Sequence, residues 1–278
     1  MNSRPDDSSP SRETSSHHSA ALAGVGLALE VIGREGSVAR IENGRITHAE
    51  NLPPETRATA SLTPALQRLL DQHSRGNGEK AGKSSDESPP ADFVAVANGP
   101  GSFTGLRIAA ATAKTLAYAW GIPVVTIDSL SVLANAIESS ELEPETAPEL
   151  LVGLDAYRGQ TFAASFRLTQ AISSRPIWKL NGAIELLGRP AWLDRLKATP
   201  PDSLITGDAV KEDLPIDHLK HLPPTEIYAE TLARIAEPKF QAGDVTDPMS
   251  VLPEYFRPSA AEEKASANQS TNPSPTKR

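Results

Sequence analysis

Short apolar runs punctuated by turn residues open the ordered part of the chain. Val25 to Ile32, Ser37 to Ile41 and Arg45 to Ala49 read as three strands. Gly33-Arg34-Glu35-Gly36 supplies the first turn and Asn43-Gly44 the second, the dipeptide best suited to a two-residue hairpin. The period then changes from two to 3.6. Leu62, Leu66, Leu69 and Leu70 mark one face of a helix over Thr59–Gln72, with Pro64 in its first turn, where a missing N–H costs little.

A polar stretch rich in Gly, Ser and Lys, residues 73–91, reads as a mobile loop before the apolar run Phe93–Ala97. Gly99 to Gly105 forms a glycine-rich turn, and a helical pattern runs from Leu106 to Trp120, closed by Gly121. Ile122–Ile127 is the next strand, and Asp128-Ser129 caps a helix from Leu130 to about Ile137. An acidic, proline-bearing linker, residues 139–148, separates this half from the next.

The pattern then restarts. Leu150–Asp155 and Gln160–Leu168 flank the turn Ala156-Tyr157-Arg158-Gly159. A strand at Ile177–Leu180, a helix at Pro190–Leu196, a strand over Leu204–Asp208 and a helix at Tyr228–Phe240 follow. Each half opens with a hairpin whose first strand ends near a carboxylate, Glu30 or Asp155. The expected class is therefore an internally duplicated α/β fold. Residues 1–22 and 259–278 read as polar disordered tails, with subdomains at 23–137 and 138–258, the last helix of the second free to pack back on the first.

Composition narrows the function classes. With 278 residues, 38% apolar and 22% charged, the chain fits a folded centre carrying polar attachments. It has no cysteine, which excludes disulfides, thiolate catalysis and Cys-based zinc, and fits a cytoplasmic setting. A net charge of −8 makes it a poor nucleic-acid binder by itself, because phosphate contacts need clustered Lys and Arg. The run Ala20–Ile32 admits two readings, a signal-peptide core or a buried strand. Glu30 interrupts it and no small-residue cleavage site follows, so the strand is preferred. It is too short to span a bilayer.

Candidate chemistry centres on the glycine turn, where a strand, a tight loop and a helix start lie in series. Gly99, Gly101 and Gly105 are one residue too widely spaced for the dinucleotide fingerprint, and no Gly-Lys-Ser/Thr closes a P-loop there. Ser102 or Thr104 can cap the helix. Arg107 opposes the helix dipole and so calls for an anion, an acidic side chain or a partner. Ala109, Ala110, Ala111, Ala113 and Ala117 let another element approach the helix, either the chain's own sheet or a partner. Lys80-Ala81-Gly82-Lys83-Ser84 imitates the end of a P-loop, but Asn77 stands where its first glycine belongs. His218 and His221 could share a helix face, though a metal site needs a third ligand. Glu30 and Asp155 could form a carboxylate pair across a cleft, but hydrogen bonding at each strand end is the preferred reading.

The glycine turn also carries a resemblance. Gly99-Pro100-Gly101-Ser102-Phe103-Thr104-Gly105-Leu106-Arg107-Ile108 looks like the signature of the TsaB (YeaZ) family of tRNA threonylcarbamoyladenosine biosynthesis proteins. Glu35-Gly36-Ser37-Val38-Ala39, Gly121-Ile122-Pro123-Val124, Asp128-Ser129-Leu130, Leu154-Asp155-Ala156-Tyr157-Arg158-Gly159-Gln160 and Leu252-Pro253-Glu254-Tyr255-Phe256-Arg257 agree with it. The similarity extends over residues 25–258.

The resemblance implies a duplicated actin/sugar-kinase-like (ribonuclease H-like) fold: two similar subdomains with mixed sheets and flanking helices. It implies a non-catalytic paralogue of the transferase subunit TsaD, working with a TsaE-like ATPase and reaching tRNA only through the complex. No cofactor is implied as tightly bound, although ATP or ADP could sit at the junction of the subunits. A homodimer is the alternative in the absence of TsaD. The implied interface involves the helices Thr59–Gln72 and Thr104–Trp120, and with them Gly99, Pro100, Gly101, Ser102, Thr104, Gly105, Arg107, Ala110 and Ala113.

Two departures bear on catalysis. TsaD-like proteins carry a His-x-x-x-His metal site on the helix after the first hairpins. Arg57-Ala58-Thr59-Ala60-Ser61-Leu62-Thr63 has no histidine. The family's first strand ends in an acid followed by Thr or Ser, whereas Glu30-Val31-Ile32 lacks both hydroxyls. The competing reading, a metal-dependent peptidase or ATPase of the same superfamily, is weakened at these positions.

Overall fold

A computed structural model describes residues 24–33, 35–53, 58–76, 89–138, 142–170, 176–211, 214, 216–223 and 228–256. The expectations for the two tails, for most of the loop at 73–91 and for Lys80–Ser84 lie outside these residues. So does Arg257.

The first half runs β1 (Val25–Glu30), β2 (Ser37–Glu42), β3 (Arg45–Asn51), α1 (Ala58–Gly76), β4 (Phe93–Ala97), α2 (Phe103–Trp120), β5 (Val124–Ile127) and α3 (Ser129–Asn135). The second runs β6 (Leu150–Asp155), β7 (Gln160–Thr169), β8 (Ile177–Leu180), β9 (Glu185–Gly188), α4 (Arg189–Ala198), β10 (Leu204–Thr206), β11 (Lys220–His221) and α5 (Ala229–Gln241). A short 3-10 helix, Pro248–Ser250, follows.

The two sheets share one topology. The first has the order β3-β2-β1-β4-β5 and the second β8-β7-β6-β10-β11, with β9 paired beside β8 on β7. In each, the opening three strands are an antiparallel meander. Two parallel strands then extend the sheet on the other side of the first strand. This repeated order is the duplicated fold that the two hairpins implied. The Asn43-Gly44 turn has φ of 51° and 77°, the doubly positive geometry that Asn-Gly favours.

The alternation of side chains sorts the core into layers. Leu27 and Leu29 face outward beneath α1 and α2, with Val94, Val96, Leu62, Leu66 and Leu69. Ala28, Phe93, Ala95 and Val125 face inward. There they join Leu150, Val152, Phe166 and Trp178 of the second sheet in one continuous core. A smaller cluster, with Leu151, Ile205, Trp192 and Leu196, lies under α4.

The last helix of each half leaves its own sheet for the other. α3 packs on β6 and β8, and α5 packs across the first sheet. Two buried polar contacts pin α5 there: Ser37 Oγ accepts the Ala229 N–H at 2.9 Å, and Glu237 Oε1 accepts the Gly44 N–H at 2.8 Å.

Two strands escape the sequence pattern because they are short, β9 with four residues and the polar β11 with two. The second corrects an expectation. Lys220 and His221 are extended, so His218 and His221 do not share a helix face. His218 Nε2 lies 3.2 Å from the Leu196 carbonyl instead. Among the described residues, no three His, Cys, Asp or Glu side chains gather as a metal site. Nor is any described helix long and apolar enough to cross a membrane.

Candidate functional site: the glycine loop and its C-terminal strap

The loop leaves β4 at Ala97 and enters α2 at Phe103. Its floor is fastened to β5 and α3. The Asn98 N–H donates to the Ile127 carbonyl at 2.8 Å, and the Gly99 carbonyl accepts the Ser129 N–H at 2.6 Å. The Gly99–Pro100 peptide is cis. Ser102 is the N-cap, its Oγ accepting the Gly105 N–H at 3.2 Å, so Ser102 rather than Thr104 takes the capping role.

The three glycines allow close chain-to-chain packing. A Cβ on Gly105 would lie 2.2 Å from the Val31 carbonyl oxygen. One on Gly101 would lie 1.9 Å from Ile32 Cγ2. Gly99, at φ +116°, would place a Cβ 2.8 Å from the Glu254 carbonyl oxygen. The loop is thus closed on one side by the turn after β1 and on the other by the C-terminal segment.

The turn after β1 is also engaged from within. Glu30 is fully buried, and its Oε1 accepts the backbone N–H groups of Ile32 and Gly33, the latter at 2.7 Å. A carboxylate of the chain itself occupies the place an anion would take on these N–H groups. The second hairpin repeats the motif: Asp155 Oδ1 accepts the Tyr157 N–H at 2.8 Å, and Lys211 Nζ stands 3.7 Å from Oδ2. Each carboxylate serves its own turn, as the strand-end reading expects. The residues at the first turn therefore do not fit a nucleotide phosphate.

Arg107 differs from expectation. Its guanidinium lies 3.9 Å above the Phe103 ring, and its Nε donates to the Tyr255 hydroxyl at 3.1 Å. Phe103 and Tyr255 are themselves 4.8 Å apart, centroid to centroid. The cation is satisfied by an aromatic face and a phenol, and no acidic side chain is required. The Glu254 N–H donates to the Asn98 carbonyl at 3.2 Å, and Phe256 meets Phe162 of β7 edge-on. Residues 251–256 thus strap the glycine loop and reach the second sheet. Phe103 and Tyr255 leave an apolar surface exposed beside Arg107, and Met249 and Leu252 of the C-terminal segment are exposed as well.

Ala110 and Ala113 also need correcting. Both are buried, Ala113 with no exposed surface. With Ala109 and Ala117 they face the chain's own first sheet and α1. Their small side chains bring α2 close to that sheet, so they offer nothing to a partner. The outward face of α2 carries Thr104, Arg107, Ala111, Thr115 and Tyr118, the last 70% exposed.

Beneath the loop, burial raises the carboxyl pKa of Asp128, the N-cap of α3, against the hydrogen bonds from Ser131 that lower it. Desolvation, followed by the nearby Asp128 charge, raises that of Glu254. Sequence reasoning missed this pair. Only the cap signal at Asp128 was legible, because Glu254 arrives from the far end of the chain.

Comparison with known proteins finds similarity to proteins named for tRNA modification. The family model described as "TsaD: tRNA N6-adenosine threonylcarbamoyltransferase" matches residues 79–175. A Haemophilus influenzae protein named tRNA threonylcarbamoyladenosine biosynthesis protein TsaB is 29% identical over 136 residues, 49% of this chain and 51% of that protein. The chain thus spans about half the length of that relative. The Bacillus subtilis protein of the same name is 27% identical over 177 residues, covering 62% of this chain and 72% of its own. The solved structure of YeaZ from Pseudomonas aeruginosa superposes with a TM-score of 0.64 at 24% identity, over 83% of this chain and 99% of that one. The chain is thus similar in sequence to TsaB proteins over about half of its length, and its fold is that of YeaZ.

Proposed function

We propose that this protein is a non-catalytic subunit of the complex that makes N6-threonylcarbamoyladenosine in tRNA, pairing with a TsaD-like transferase subunit. One observation carries the non-catalytic part. The first turn, where a nucleotide phosphate would be held, is filled by Glu30 from within and walled by Ile32. Binding an anion there would first require displacing a buried carboxylate from two N–H groups.

The pairing surface is the outward face of α2, from Thr104 and Arg107 through Ala111 and Thr115 to Tyr118, continued by Phe103, Leu252 and Tyr255. It joins exposed aromatic rings to an arginine, the residue types that anchor interfaces. The acidic chain leaves tRNA to the rest of the complex. A TsaE-like ATPase is a further partner in this reading, the cytoplasm is its setting, and any ATP or ADP lies at the junction of subunits. Without its partner the same face serves a homodimer.

The test is co-elution with the TsaD-like protein of the same organism on gel filtration, with and without ATP. Association at about micromolar concentration is expected. Ala111→Arg and Tyr118→Glu, both at exposed positions, should abolish it while leaving the circular dichroism unchanged. Failure of the unaltered proteins to associate overturns the reading. Threonylcarbamoyl transfer by this chain alone would overturn its non-catalytic part.

A further inference from the structure

We propose that residues 251–256 form a latch: docking of the partner subunit on the outward face of α2 closes it, and its closure clamps the first subdomain to the second. The proposal rests on the reading that a TsaD-like subunit pairs through that face. It adds how pairing there is transmitted to the rest of the molecule.

The path of the C-terminal segment is the first ground. Thr246 exchanges backbone hydrogen bonds with Val124, at the start of β5, at 3.0 and 2.7 Å. The 3-10 helix Pro248–Ser250 then packs on α2. Further on, the Glu254 N–H donates to the Asn98 carbonyl, and Tyr255 meets Phe103 and Arg107. The segment therefore runs beside α2 from the helix's C-terminal end back to its N-terminal end. There its side chains part. Tyr255 engages α2, whereas Phe256 meets Phe162 of β7 edge-on, with 6.1 Å between ring centroids. Phe162 is paired with Leu154, near the carboxyl end of β6. Two consecutive residues thus touch the α2 face and the second sheet.

Marginal closure is the second ground. Val251 is buried and fixes the segment at its start. None of the next five residues is buried, and Leu252 is 68% and Tyr255 45% exposed. Among the described residues they are held by the Glu254 N–H bond at 3.2 Å, the bond from Arg107 to Tyr255 at 3.1 Å and the ring contacts of Tyr255 and Phe256. Each such contact, partly in water, contributes about as much as fixing one residue's backbone costs. Closure also takes the Glu254 carboxyl partly out of water and toward the Asp128 charge, which raises its pKa and opposes the step.

Open and closed forms therefore lie near balance. A partner that covers Tyr255 in its closed position binds the closed form better and shifts the population toward it. By linkage, whatever favours closure tightens docking. Phe256 packs on the second sheet rather than on α2, yet it should bear on affinity at the α2 face.

Hydrogen–deuterium exchange of the full chain, alone and with the TsaD-like protein of the same organism, gives the test. Exchange at the Glu254 amide should be fast in the free chain and slow at least about tenfold in the complex. Phe256→Ala should weaken association about threefold, as when a closed population near one half falls to about one sixth. Exchange in β4 and β7 should stay unchanged in this variant. Glu254→Gln removes the like charge, so it should slow exchange at residue 254 in the free chain and tighten association by up to about twofold. If the unaltered proteins do not associate, the pairing reading falls and the latch falls with it. Pairing stands and the latch alone is overturned if the complex forms without slowing exchange at Glu254. The same holds if that amide is already as protected in the free chain as those of β4, or if neither variant shifts affinity in the stated direction.

Discussion

Arg107 in the second turn of α2 donates to the hydroxyl of Tyr255, 148 residues further along the chain, at 3.1 Å. This bond joins the glycine loop to the C-terminal strap. The same guanidinium lies over the Phe103 ring. A double-mutant cycle of Arg107→Ala and Tyr255→Phe should give a coupling energy of about 0.5–1 kcal/mol in urea unfolding, because the pair is partly solvated. A coupling indistinguishable from zero would mean that the strap is held by ring packing alone.

The glycines of the loop should differ sharply from the capping glycine of α2. Gly105→Ala drives a methyl against the Val31 carbonyl and should cost on the order of 3 kcal/mol or prevent folding. Gly121→Ala meets nothing within 4 Å. It suffers only from its left-handed φ of +69°, for a loss of about 1 kcal/mol. Comparing urea midpoints decides the matter, and equal losses would contradict the close packing at residue 105.

Glu237 ties the last helix to the first hairpin through the Gly44 N–H. Because the carboxylate is buried, Glu237→Leu should destabilise the protein by about 1.5–3 kcal/mol and speed amide exchange at Gly44. Glu237→Gln keeps an acceptor oxygen and should lose less. If both variants cost the same, charge rather than the hydrogen bond is what matters at this position.

Stability should depend on pH through Asp128. Its carboxyl pKa is raised by burial, so the folded state binds a proton more tightly than the unfolded chain does. The associated stability is complete below the ordinary carboxylate range and is lost as pH climbs through the raised value. Asp128→Asn keeps an acceptor for the Ser131 N–H and removes the titration. The variant should therefore gain on the wild type as pH rises through that window, read as the difference in urea midpoints. A difference that is flat with pH would refute the effect. Glu254, raised in part by the Asp128 charge, should return toward its ordinary value in the same variant.

The strands other than β9 and β11, the turns and the duplication were legible in the sequence because they depend on local period and turn chemistry. Phe93–Ala97 is wholly apolar as a buried parallel strand should be, and Asn43-Gly44 forms the turn that its φ preferences dictate. The glycine loop was legible too, since a run of glycines records close backbone approach wherever the approaching chain lies. What approaches was not. Ile32 and Glu254 lie far from the loop in sequence, and only the folded arrangement brings them within reach of Gly101 and Gly99.

The face of α2 was equally undetermined, because an alanine-rich helix is small and apolar on several sides at once. Ala113 is buried and Ala111 exposed only because the first sheet and α1 cover one side. The partner of Arg107 followed the same logic. The chain by itself shows a cation opposing a helix dipole, whereas the Tyr255 hydroxyl and the Phe103 ring that satisfy it meet only when the C-terminal strap folds across the loop. Local period and backbone preference are written into neighbouring residues. Burial and side-chain pairing depend on contacts between segments that are not neighbours in the chain, and tertiary packing decides them.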